Sequence, residues 1–334
     1  MIPRGTAAAV MLFVMAAAQP LAGQDDIHLL VITGLGGDPA YSEKFMELGS
    51  ALVATAGGKL GLPADHIIYL GEDPEADPLI QDRSTRENVG KAFTGLVSSS
   101  QPGDHIFVVL IGHGSYTNGE SRFNLPGPDL TAEDFDLYLD QLSDRPVAFA
   151  NLSSASGEFV KTLSGDGRTI ITATRSGRER NETIFGGYFV EAFTGEEADL
   201  DKNGRVSVWE AFEFAHIEVT REYEMTNRIA TEHALLDDNG DGEGSTDMVD
   251  AADGALARTM FLAPDPNLAA VLATDDEELK SLLEQKADVE RRLDELRALR
   301  DQIDPDRYDN ELETLLVELA LTNREIAART GVNE

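Results

Sequence analysis

Residues 199–210 set oxygen donors at alternate positions: Asp199, Asp201 and Asn203, then the Arg205 carbonyl, Ser207 and finally Glu210. Gly204 stands sixth, where a sharp turn needs a residue free to take positive φ. Oxygen-only donors at this spacing suit a hard cation, and the ion expected is Ca2+, with Glu210 offering both carboxylate oxygens. A second constellation lies upstream. His113 follows the apolar run His105 to Ile111, and Ser154 and Ser156 follow the apolar run Val147 to Leu152. An imidazole near a hydroxyl is the pairing used in nucleophilic catalysis, provided that an acid orients the base and backbone donors hold an oxyanion. The orienting acid cannot be named from the sequence. Both serines equally suit a helix cap, and a lone histidine at a strand end suits a turn. The chain has no cysteine, which excludes thiol catalysis, zinc–thiolate sites and disulfides.

The 199–210 stretch fits the EF-hand loop at every liganding position. Its flanks agree: Phe185, Phe189 and Phe193 share a helical face before it, and Val208, Phe212 and Ala215 share one after it. Val206, eighth in the loop, is expected in a short β-bridge. A second acidic cluster offers Asp237, Asn239 and Asp241 at alternating positions with Gly242 sixth, but Met248 stands twelfth in place of an acid. A partial calcium site and a plain Asn/Gly turn both fit it.

These groups need a scaffold, and the apolar pattern predicts one. Strands are expected over Ile27–Thr33, His66–Leu70, His105–Ile111, Val147–Leu152 and Thr169–Thr174. Helices are expected between them. One is capped at Asp38-Pro39 and carries Phe45, Leu48 and Leu52; one is boxed by Ser84 and Glu87; one is capped by Thr131 and carries Phe135, Tyr138 and Leu142. Alternating strands and helices imply βαβ units and a mostly parallel sheet flanked by helices, with chemistry beyond the carboxyl ends of the strands. Further on, Leu282, Val289, Leu296 and Ile303 recur every seventh residue, Asp304-Pro305-Asp306 breaks the pattern, and 310–330 is amphipathic. A C-terminal helical hairpin or coiled-coil tail is expected at 275–334, after a linker at 264–274.

At the other end, Arg4, the apolar run Ala7–Ala18, Pro20 and the small residues at Ala22-Gly23 read as a signal peptide over 1–24, so an exported, periplasmic or extracellular protein is expected. The alternative is an uncleaved anchor, although the run is short for a span. The net charge is −34. Such a chain lacks the Lys and Arg clusters that nucleic acid requires, and calcium is its natural counter-ion.

The segments Gly103–Gly114 (GDHIFVVLIGHG) and Ala150–Gly157 (ANLSSASG) resemble the legumain peptidase family. The first is similar to its strand leading into a catalytic His-Gly, the second to its Ala-Cys-Glu-Ser-Gly nucleophile segment. The resemblance spans Ile27 to Phe193 and implies a caspase–hemoglobinase fold over residues 25–263, carrying the EF-hand-like loop as an insertion. It implies His113 as general base, Gly114 as an oxyanion donor and position 154 as the nucleophile. That position holds Ser154 where the family holds cysteine. The expected function is a catalytically inactive peptidase homologue, stabilised by calcium and binding an unidentified peptide or protein or assembling through its tail as a homo-oligomer. The alternative is a hydrolase using Ser154 with His113.

Overall fold

The computed structural model describes residues 26–248, 251–264, 274, 276–298 and 303–330. The signal segment at 1–24 and linker residues 265–273 lie outside the described residues. The chain runs β1 (Ile27–Thr33), α1 (Pro39–Gly58), β2 (Ile67–Gly71), β3 (Asp82–Arg83), α2 (Arg86–Ser99) and β4 (His105–Ile111). A hairpin sheet follows, formed by β5 (Gly114–Thr117), β6 (Glu120–Phe123) and β7 (Leu130–Thr131). Then come α3 (Ala132–Leu139), β8 (Val147–Asn151), α4 (Glu158–Leu163), β9 (Arg168–Thr172), α5 (Phe185–Thr194), α6 (Val208–Met225) and β10 (Leu235–Asp237). Two further helices, α7 (Glu277–Ala298) and α8 (Pro305–Thr330), close the described chain.

The main sheet has the order β10-β9-β8-β4-β1-β2-β3, parallel except for the edge strand β10. Its central strands read as unbroken apolar runs because both faces are covered. In β4, Phe107, Val109 and Ile111 meet α1, α5 and α6, while Ile106, Val108 and Leu110 meet α2, α3 and α4. The molecule is therefore helix–sheet–helix in section, as the alternation of strands and helices predicts.

Local chemistry moves several expected boundaries. Ser84 lies just past β3 with its N–H donating to Gly71 O at 2.7 Å, so the cap of α2 passes to Thr85, whose Oγ1 accepts the Asn88 N–H. Leu142 falls in a 3-10 turn after α3 rather than in the helix. Pro305 opens α8 instead of lying in a break, since its fixed φ and missing N–H suit the first helical position. The small sheet β5–β7 and the edge β10 escape pattern reading: they are short, and neither shows a long apolar run.

The two tail helices are antiparallel. Arg329 near the end of α8 pairs with Asp276 and Glu278 at the start of α7, and Val289, Leu293, Leu296 and Leu315 form a small core between them.

At the sheet, Arg168 in β9 is largely buried and fans across the neighbouring elements. Its guanidinium donates to Asp136 (2.7 Å), Asp140 (2.8 Å) and the Leu163 carbonyl (3.1 Å). The partner carboxylates keep partial access to water, so losing the guanidinium costs its charge-assisted hydrogen bonds rather than stranding buried charges. Arg168→Met should lower the unfolding free energy by about 2–3 kcal/mol. Urea denaturation checks this, with the slope unchanged; a loss within about 0.5 kcal/mol would put Arg168 among ordinary surface residues.

Candidate functional site

β4 and β8 are paired with Leu110 opposite Asn151, so the chain leaves both strands side by side at the carboxyl edge of the sheet. That register brings Gly114 against Ser154. The Gly114 N–H donates to Ser154 Oγ and the Ser154 hydroxyl donates to Gly114 O, each at a long 3.4 Å. The approach is so close that a Cβ on residue 114 would stand 2.0 Å from the Ser154 carbonyl oxygen. Glycine is obligatory there for space.

The turn after Ser154 is unusual in backbone. Ala155 has φ +54°, a left-handed conformation that costs a non-glycine residue about 1–2 kcal/mol. Two hydrogen bonds hold it: Ala155 N–H donates to Glu179 O at 2.7 Å, and Ser121 Oγ donates to Ala155 O at 2.6 Å. The serines do not cap α4, whose N-cap is Gly157 with no side-chain bond. Instead, Thr174 Oγ1 accepts the N–H groups of Ser156 (2.8 Å) and Gly157 (3.1 Å).

His113 and Ser154 line the same cavity, but they are not joined by a hydrogen bond. The imidazole is wedged edge-on between Tyr41 and Phe45, with ring centroids 4.6 and 5.0 Å away. The cavity measures about 20 Å³, room for about one water. Burial lowers the His113 pKa below its ordinary 6.5; the Glu182 carboxylate opposes this and the Lys44 ammonium adds to it.

The carboxylate whose charge acts on His113 is Glu182, but its hydrogen bonds go to other groups. Tyr41 Oη donates to Glu182 Oε2 at 3.0 Å, and Lys44 Nζ donates to Oε1. Burial pushes the Glu182 carboxyl up, but the Lys44 ammonium and the Tyr41 hydroxyl outweigh it and hold the group below its ordinary value. No sequence signal could have matched the first turns of α1 with a loop residue so far along the chain. The wide space lies elsewhere. A groove of about 840 Å³ opens beyond β1 and β2, lined by Gly34, Asp38, Ser42, Glu72, Asp73 and Arg83, and neither His113 nor Ser154 reaches it.

In the acidic loop, Asp199, Asp201 and Glu210 are, among the described residues, the one set of three or more acidic or histidine side chains with ligand atoms all within 4.8 Å. Asp199 Oδ1 accepts from Asn203 N–H (3.0 Å) and Oδ2 from Gly204 N–H (2.9 Å), and Asn203 Oδ1 accepts from Arg205 N–H (2.8 Å). Glu210 Oε1 accepts from Leu200 N–H, and Oε2 takes both the N–H and the hydroxyl of Ser207. Ser207 and Glu210 thereby form the capping box of α6. Gly204 takes φ +87°, as the sixth position requires. The β-bridge is carried by Ser207 facing Phe261, one residue beyond the expected Val206. Oxygen donors set this close together suit a hard cation, although Asp201 Oδ2 is here paired with the Arg297 guanidinium at 3.1 Å. In the second cluster the first acid is more deeply placed: Asp237 is fully buried at the end of β10, with Asn239 and Asp241 in the exposed turn beyond it.

No family model matches the chain, and no curated protein matches it. Among solved structures it is similar to the Drosophila initiator caspase Dronc, at 12% identity and TM-score 0.42, over 64% of this chain and 80% of that one. The crystal structure of drICE gives 10% identity and TM-score 0.38, over 66% of this chain and 90% of that one.

Two outcomes follow from the geometry. Gly114→Ala should destabilise the fold by about 3 kcal/mol, the upper range for overpacking, read by chemical denaturation; a neutral substitution would mean that the β4 and β8 loops are not in backbone contact. In an NMR titration, His113 should protonate with a midpoint below 6.5. Opening one wall with Tyr41→Ala should move that midpoint upward. Because the folded state prefers the neutral ring, the stability it contributes is complete above 6.5 and declines as pH falls below that value, where the unfolded chain protonates first. A midpoint above 6.5 contradicts the assigned burial.

Proposed function

We propose that this chain is an exported, caspase–hemoglobinase-type peptidase homologue that no longer hydrolyses peptides and acts as a calcium-stiffened binding or assembly module. The observation that carries the reading is the state of Ser154. It stands where the legumain resemblance puts the nucleophile, yet its hydroxyl is bonded to the Gly114 backbone, not to His113, in a cavity with room for about one water. A hydroxyl ionises far less readily than a thiol, so it depends on a base in direct contact and on an acid behind that base. Here the imidazole has no bond to the hydroxyl, and Glu182 is held by Tyr41 and Lys44.

A scaffold freed from chemistry still offers surfaces. The groove beyond β1 and β2 has the space for a peptide segment that the Ser154 cavity lacks. On α8, Leu316, Val317 and Leu321 are exposed and turned away from the contact with α7, which suits association with a second copy. The 199–210 loop stiffens the α5–α6 pair against the sheet when it holds calcium. Asp199, Asp201, Asn203, the Arg205 carbonyl, Ser207 (by way of a water) and Glu210 are the groups that would hold the ion.

A fluorophosphonate probe tests the first half: no labelling is expected. Covalent labelling that disappears in Ser154→Ala would restore the alternative, a serine hydrolase built on Ser154 and His113. Calcium is tested by melting the protein with and without EDTA. Saturation at a hundredfold over Kd stabilises by about 2.7 kcal/mol, so for a chain of this length the midpoint should drop by roughly 4 °C on chelation. Glu210→Gln should reduce that difference, and an EDTA-independent midpoint in the unaltered protein sinks the calcium half.

A further inference from the structure

At the place where the second acidic loop seems incomplete by sequence alone it repeats two contacts of the first, although its carboxylates do not already lie within 4.8 Å of one another as those of the first loop do. In the first, the twelfth-position acid Glu210 takes the N–H of the second residue, Leu200 (2.9 Å), on one oxygen. Its other oxygen takes the hydroxyl of the ninth, Ser207 (2.8 Å). In the second loop the residues at those positions are Asp238 and Ser245, and Met248 at the twelfth is buried in the core. The same two donors are nevertheless satisfied by a carboxylate. Asp253 Oδ1 accepts the Asp238 N–H at 3.2 Å, and Asp253 Oδ2 accepts the Ser245 hydroxyl at 2.5 Å.

The remainder of the turn repeats the first loop. Asn239 Oδ1 accepts from Asp241 N–H at 2.8 Å, Asp241 Oδ1 from Glu243 N–H at 2.7 Å, and Gly242 takes φ +73°. A separate observation points to a ligand. Asp237, the first position, is fully buried; its Oδ1 takes Ser164 Oγ (3.0 Å) and Gly240 N–H (3.4 Å), while Oδ2 makes no hydrogen bond of ordinary geometry and only the Gly242 N–H bears further on the carboxyl. Asp253 is also buried, and the two carboxylates lie within electrostatic reach of each other. Among the described residues no Lys or Arg pairs with Asp237, Asp238 or Asp253. Buried carboxylates facing one another without a base require a cation or protons to neutralise them.

We propose that Asp253 supplies from outside the loop the carboxylate that Met248 cannot, completing a second calcium site with Asp237, Asn239, Asp241 and the Glu243 carbonyl. Asp238 is a positioning residue: its carboxylate turns away from the loop and accepts the N–H groups of Gly254 (2.7 Å) and Ala257 (2.8 Å), which fixes the segment that carries Asp253. Oxygen donors of this number and mixed type favour calcium over magnesium, which demands a strict octahedron and keeps its waters. The inference shares its ion with the reading above but none of its ligands.

Calcium stoichiometry of the full chain, by isothermal titration calorimetry with CaCl2, separates the two. The unaltered protein should bind two ions, Glu210→Gln one and Asp253→Asn one, the combined variant none. Asp253→Asn is nearly isosteric, and its retained binding at the first loop reports that the variant is folded. The second-site affinity should fall by about 10- to 100-fold, the loss of one charged ligand. Terbium luminescence gives an independent readout, because Trp209, the only tryptophan in the chain, precedes Glu210 and packs beside Gly254. In Glu210→Gln, sensitised emission should persist, and adding Asp253→Asn should remove it. Two undiminished ions in Asp253→Asn would overturn the Asp253 assignment alone, as would a single ion in the unaltered protein that Glu210→Gln abolishes. Two ions of which Glu210→Gln removes neither would overturn only the first-loop reading.

Discussion

Sixty-one acids against 27 bases leave too few cations to pair every carboxylate, and the fold is organised around satisfying the buried ones by other means. Main-chain N–H groups do most of it. Glu232 takes the Ile184 and Phe185 N–H groups at the start of α5 together with the Tyr223 hydroxyl. Asp104 takes the N–H groups of Asp26 and Gln101, tying the entries of β1 and β4. Glu210 and Asp253 are held in the same fashion. Each such bond is charge-assisted and repays part of the desolvation, and each also orders a turn or a helix start. Where donors run out, as at Asp237, burial pushes the carboxyl above its ordinary range, the Ser164 hydroxyl opposes this, and the neighbouring Asp253 charge pushes it further.

The legibility of the fold follows from how locally each element is determined. β1, β4 and β8 are covered on both faces, so their sequences are continuous apolar runs that announce themselves. α1, with Asp38 accepting the Ala40 N–H and Pro39 in the first turn, is equally local. The β5–β7 hairpin is not. Its Phe123 is buried against Gly34 and Gly112, a role decided by the crevice it fills rather than by its neighbours in sequence. β10 exists because Leu236 and Asp237 find β9, an antiparallel partner that no spacing rule names.

The same division runs through the candidate sites. The adjacency of His113 and Ser154 was readable from two strand ends, and the 199–210 loop from its own spacing. The closed state of the first cavity was not, because Tyr41, Phe45, Lys44 and Glu182 converge from α1 and from the loop before α5. Asp253 was equally hidden: it lies five residues past Met248, where the loop template demands its acid. A template read along the chain sees a gap that the folded molecule fills from the side.

The tail bears on how far this protein can be divided. By sequence, a linker is expected at 264–274, between the α/β domain and the helical tail. Contacts cross from one side to the other: Arg297 of α7 reaches back to Asp201 at 3.1 Å, and α7 packs on the turn at Ala257–Thr259, whose first N–H is held by Asp238. A chain cut at that stretch would thus lose a guanidinium from one acidic loop and a packing wall from the segment that serves the other. The tail helices and the acidic loops are thereby mechanically coupled, so that a load on one is felt at the other.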